Sequence, residues 1–190
     1  MSLFEFSPIE INEPAVLKLV DQFRELYSNG KVSLIGFQLA GDYSDSIFGD
    51  PLLPDRTLEA VAEFLMHPDV QRYCPALSAW EAVETLPEED EYGFDWAETG
   101  PFAAEGVLNH LMIFGEAEVE YPGELNDARQ LTAGFMDGLL EDRHLQAQVA
   151  VCDSAWSPWF YDIAWDFSMF ILDKAAQRYF LLTLTDTDGE

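Results

Sequence analysis

The sequence predicts an α+β protein in which helices pack on a mostly antiparallel sheet that ends in a C-terminal β-hairpin. Three features carry the prediction: two amphipathic segments of helical period near 14–27 and 124–142, a strand-like run at 31–40, and a pair of alternating segments at 161–173 and 178–186. Helices and strands that do not alternate regularly in sequence fit this class better than a parallel α/β fold.

The first helix opens at Asn12-Glu13-Pro14, a capping residue followed by a proline whose missing N–H costs nothing in the first turn. Val16, Leu19, Val20, Phe23 and Tyr27 then recur at helical spacing, and Asn29-Gly30 supplies a stop. Lys31 to Ala40 reads as a strand with Val32 and Leu34 on one face, and Gly41 to Pro54 as a loop. Leu58, Val61, Ala62 and Leu65 return to helical spacing until Pro68. Residues 68–101 hold Pro68, Pro75, Pro87 and Pro101 and the run Glu88-Glu89-Asp90-Glu91. They read as an acidic, loop-rich surface insertion, with one or two short helices, within a single domain spanning 1–190.

Ala103 to Phe114 fits a helix through Ala104, Val107, Leu108 and Leu111, and Val107 to Phe114 alternatively fits a buried strand. Glu116 to Tyr121 alternates with period two, which predicts a short strand with Ala117, Val119 and Tyr121 inward. In the helix at about 124–142, Gly134 and Gly138 each weaken the helix by about 1 kcal/mol relative to Ala, which makes sense where another backbone packs closely. The C-terminal hairpin is the most specific expectation. Placing Asp173 opposite Arg178 sets Ile171 against Phe180, Met169 against Leu182 and Phe167 against Leu184. The same register sets Leu172 against Tyr179, Phe170 against Leu181, Ser168 against Thr183 and Asp166 against Thr185. One register makes both faces chemically sensible.

The charge bounds the function. The chain has 36 acidic and 9 basic residues, a formal charge of -27, and no Lys or Arg between Arg72 and Arg129. A globular chain of 21.5 kDa exposes roughly 9,000 Å², so the surface carries a dense negative excess. Such a field repels nucleic acid and anionic membrane and attracts basic proteins and cations. With 48% hydrophobic residues the chain is too apolar for a disordered acidic tail. Lysine-poor acidity also suits high salt or simple solubility. The N-terminal residues lack a signal-peptide pattern, and no apolar run reaches the roughly 20 residues that span a bilayer. Cys74 and Cys152 have no metal or redox spacing and read as reduced thiols. A soluble, cytoplasmic protein is expected.

The expected partner surface combines Glu88, Glu89, Asp90, Glu91, Tyr92 and Trp96 with the stripe Glu116, Glu118 and Glu120. Carboxylates beside aromatic rings suit a hot spot for a basic surface, and three acids on one strand face lie about 7 Å apart. A solvated, charged edge strand is the plainer meaning of that stripe. Asp162, Asp166 and Asp186 group near one hairpin end and could serve a cation or acid–base chemistry, although hydrogen-bonded strand-end aspartates explain them better. Trp156, Trp159, Phe160, Tyr161 and Trp165 could line a pocket or fill a corner of the core. His67, His110 and His144 are isolated, and no phosphate-binding glycine loop or serine elbow occurs. No catalytic residue, cofactor or metal is expected. The function expected is that of an acidic, non-enzymatic binding protein, an immunity- or antitoxin-type inhibitor of a basic partner protein. A chaperone or adaptor for a secreted effector, or a carboxylate- and metal-dependent enzyme, are the alternatives.

Overall fold

The computed structural model describes residues 4–41, 56–78, 95–115 and 120–187. In chain order they form β1 (Phe4–Ile9), α1 (Pro14–Leu26), β2 (Lys31–Gly41), α2 (Thr57–Met66), α3 (Pro68–Tyr73), α4 (Pro75–Ser78), β3 (Ala97–Thr99), α5 (Pro101–Phe114), α6 (Leu125–Leu140), β4 (Ala147–Cys152), β5 (Phe167–Asp173) and β6 (Arg178–Thr185). The six strands make one antiparallel sheet of order β1-β2-β6-β5-β4-β3.

The β5–β6 hairpin has the register read from the sequence, with Asp173 opposite Arg178 and Phe167 opposite Leu184. Every residue of β5, and all but the first of β6, is buried. Two hydrophobic cores explain this, one on each face of the sheet. On one face Phe37, Phe170, Tyr179 and Leu181 meet Val61, Phe64 and Leu65 of α2, with Val70 and Leu77 from the short helices beyond it. On the other, Met169, Ile171, Phe180 and Leu182 meet α1, α5 and α6 through Leu19, Phe23, Leu108, Phe135 and Met136. Central strands covered on both sides must be apolar on both sides, which is why the hairpin reads as near-continuous hydrophobic sequence.

The hairpin is shorter than the alternation suggests. Residues 161–166 form a loop, and β5 starts at Phe167. The cause is local: Asp166 accepts the Ile163 N–H at 3.0 Å, the Asp166 N–H reaches the Ile163 carbonyl, and Asp162 adopts φ 59°. Side-chain to backbone hydrogen bonds of this kind compete with a ladder. The 101–114 segment is a helix, with Pro101 in its first turn and Ala104, Leu108 and Met112 buried at four-residue spacing. Gly138 marks the close helix contact expected: a Cβ there would lie 2.7 Å from Glu13 Cγ and Val16 Cγ2, so α1 sits hard against α6. Glu13 precedes α1 without a side-chain capping bond. Strands β1, β3 and β4 were not predicted from the sequence. Pro8 disguises β1 and is tolerated because β1 is an edge strand.

The described ends of the 68–101 region are tied to the body. They place Val70, Cys74, Ala76, Leu77 and Trp96 in the core. Residues 79–94, including the acidic run, lie outside the described residues, as do the 42–55 loop and most of the strand expected at 116–121.

Candidate functional site

The expected partner surface divides three ways. Glu88, Glu89, Asp90, Glu91, Tyr92, Glu116 and Glu118 lie outside the described residues. Glu120 is exposed, next to exposed Glu124 and Asp127 at the approach to α6. Tyr121 stands among them, its hydroxyl pKa raised by partial burial and by Asp127. Trp96 departs from the expectation. It is 6% exposed and packs at 6.1 Å against the Trp156 ring, so it anchors the segment and cannot be a surface contact. Two residues on, Glu98 accepts the first amide of α2, Thr57 N–H, at 3.0 Å, where the helix dipole favours an anion.

The basic residues are largely consumed within the molecule. Arg143 Nε lies 3.0 Å from Asp173, which is fully buried, and its fork also grips Glu141 at 2.7 Å. Arg178 reaches the same two carboxylates at 3.4 Å each. Glu141 can sit there because it ends α6 in the left-handed region, at φ 56°. The hydrogen bond and charge of Arg143 hold its carboxyl below the usual range, and that hydrogen bond in turn raises Arg143. Arg24 pairs with Asp21, and Arg56 with Glu59. Lys31 donates to the Trp159 carbonyl at 2.8 Å and stands 4.1 Å from the centre of the Tyr161 ring. Five of the nine basic groups are thereby occupied internally. Glu5, Glu10, Glu13, Glu120, Glu124 and Asp127 are among the exposed acids.

Of the strand-end aspartates, Asp166 is tied into the fold, accepting the Ile163 N–H and the Thr185 hydroxyl. Asp166 and Asp186 are buried and Asp162 is exposed. Burial raises the Asp166 pKa, opposed by the Thr185 hydroxyl and by the 161–163 backbone amides that donate to it. Among the described residues no three His, Cys, Asp or Glu side chains are grouped to hold a metal ion. The aromatic group is mainly core: Trp156 is fully buried and donates to Ser168 Oγ at 2.8 Å, and Phe160 packs between Trp156 and Trp159. Tyr161 remains partly exposed above Lys31.

His67 caps α3, its Nδ1 accepting the Asp69 N–H at 3.3 Å, while its ring stacks on Phe4. Burial lowers its pKa, which the nearby Asp69 carboxylate only partly offsets. His144 lies 3.3 Å from Asp137 and stacks flat on Phe102. Both cysteines are buried free thiols, and burial pushes Cys74 up to about 12.

One feature escaped the sequence reading. A cleft of about 320 Å³ opens between α1 and the edge of β2, lined by Ile9, Ile11, Leu17, Leu34, Ile35 and Tyr73, with Arg24 at its margin. The signals available were Leu17 on the outer side of the α1 stripe and Tyr73 ending a short helix, both partly exposed. Neither is distinctive without the geometry. No family model, curated protein or solved structure matches the chain.

Proposed function

We propose that this protein is a non-enzymatic binding protein whose acidic surface receives a basic protein, as an inhibitor of the immunity or antitoxin kind does. The observation that supports the reading is the asymmetry of charge use. Five of the nine cations are engaged by contacts within the molecule, and the net surplus of acids is spread over 9879 Å² of surface, about one net charge per 370 Å². A field of that density steers a cationic partner and raises its association rate, most strongly at low salt. Of the strand-end carboxylates that could have served catalysis, Asp166 is engaged in holding a loop, which favours binding over chemistry.

The test is capture of proteins from the native cell at low and at high salt, followed by replacement of Glu116, Glu118 and Glu120 together by Gln. A basic protein should be retained at low salt, bind at least tenfold more weakly to the triple variant, and lose part of its salt dependence. Capture of that protein with unchanged affinity and salt slope would remove the stripe from the interface. Retention of no basic protein would overturn the reading.

A further inference from the structure

α5 is apolar on nearly every side: over its 14 residues it holds one acid, Glu105, and no Lys or Arg. Its inner side enters the core through Ala104, Leu108 and Met112. Its outer side exposes Phe102, Ala103, Gly106, His110 and Phe114, with Phe102 65% and Phe114 68% exposed. A helix that is apolar all round is ordinarily covered all round. Two more exposed side chains belong to the same helical layer, Leu125 at the start of α6 and Leu145 just beyond its end. Among the described residues, this layer thus carries half of the eight large apolar side chains that stand exposed.

The outer side is complementary to itself. Phe102, Gly106, His110 and Phe114 follow at four-residue steps and make a ridge about 18 Å long. Ridges of this spacing pack side by side in the commonest helix–helix contact. Laid against itself in reverse, the ridge sets Phe102 of one copy beside Phe114 of the other and Gly106 beside His110. Each pair then occurs twice, as a two-fold contact requires. A Cβ at Gly106 would meet nothing within 4 Å, so the glycine leaves a gap in the ridge. His110, leaning on Phe114 at 5.1 Å, offers a ring of a size to fill it. Parallel packing would instead set gap against gap and ring against ring. Charge narrows the occupant further. A copy carrying -27 is repelled least where acids are absent, and Glu105 lies about 120° around the helix from the middle of the outer side. A basic partner finds no carboxylate to pair with on this ridge. We infer that the outer side of α5 is a self-association face, which meets α5 of a second copy in antiparallel fashion. The inference is independent of the acidic-binding reading. A strip about 18 Å long buries less than the roughly 800 Å² per partner of a standard interface, and the acidic surfaces repel, so the dimer is weak and salt strengthens it.

The test is sedimentation velocity of the full chain from low micromolar to millimolar concentration, in low and in high salt. Expected is a reversible dimer that tightens as salt rises, the opposite of what salt does to capture of a basic protein. Gly106→Gln fills the gap without adding charge and removes a glycine from an exposed helix position, so it should keep the fold. It should weaken the dimer at least tenfold, as should Phe114→Ser. Leu58→Gln, at an apolar side chain 41% exposed on α2, should leave the dimer unchanged. Orientation is read by mixing Phe102→Cys with Phe114→Cys protein under oxidised glutathione, both native thiols being buried. Mixed disulfide dimers should exceed those formed within either variant alone. A preference for disulfides within each variant would overturn the antiparallel contact. A monomer at every concentration and salt, or a dimer indifferent to both Gly106→Gln and Phe114→Ser, would overturn the face itself, and neither result bears on whether a basic protein is captured.

Discussion

Asp173→Ala should be among the most damaging single substitutions. The Asp173 carboxylate is fully buried, accepts from Arg143 Nε at 3.0 Å and from Arg178 at 3.4 Å, and also takes the Ala176 N–H of the β5–β6 turn at 3.1 Å. Removing it leaves two guanidinium groups, 18% and 26% exposed, short of their buried counter-charge, and leaves a turn amide unpaired. Breaking a buried pair by deleting one partner costs about 3–5 kcal/mol. Partial hydration of both arginines and their retained contact with Glu141 place this case near the lower end, about 3 kcal/mol. For a domain of this size that corresponds to a fall in Tm of roughly 6–12 °C. Asp173→Asn keeps an acceptor for Ala176 and should lose about half as much. Urea unfolding followed by circular dichroism measures both. An Ala variant less than about 1 kcal/mol below wild type would mean that the arginines find water or Glu141 without penalty, and that this cluster does not hold the hairpin turn.

Three further outcomes follow from particular contacts. Gly106→Ala, where nothing lies within 4 Å of the new Cβ, should gain up to about 1 kcal/mol, whereas Gly138→Ala should lose stability because Val16 and Glu13 must move; paired urea titrations compare them. Asp166, raised by burial, binds its proton more tightly folded than unfolded, so its contribution grows as pH falls from its native pKa towards about 3.8. Relative to Asp166→Asn, wild type should therefore gain stability on acidification, while His67, lowered by burial, should cost stability as pH drops through about 6.5, an effect absent in His67→Gln. Thermal melts across pH 4–8 separate the two, and added salt at pH 7 should raise Tm by screening the surplus of acids. Cys74 should react with a thiol reagent only at the rate at which the core opens, since burial keeps it protonated and covered; prompt labelling in native buffer would contradict its placement.

The elements legible in the sequence are those whose partners are close in the chain or whose period is long. α1, α2 and α6 show in the spacing of Val16 to Phe23, Leu58 to Leu65 and Ala128 to Leu140 because a helix's hydrogen bonds and buried stripe are both local. The β5–β6 register was legible because only one alignment serves both faces of a strand pair buried on each side. β1 and β4 were not, since a six-residue strand is defined by a partner distant in sequence: Phe6 gains its place from Leu39, and Val149 from Ile171. The fate of Trp96 was equally non-local, because an indole beside acids reads as surface until Trp156 arrives from sixty residues away. Charge was fixed by composition alone, whereas its direction depended on tertiary structure, which folded Arg143 and Arg178 inward onto Asp173. The cleft belongs wholly to the tertiary level. It exists because β1 stops at Ile9 while β2 runs on to Lys31, a difference in strand length that appears only once the two are paired.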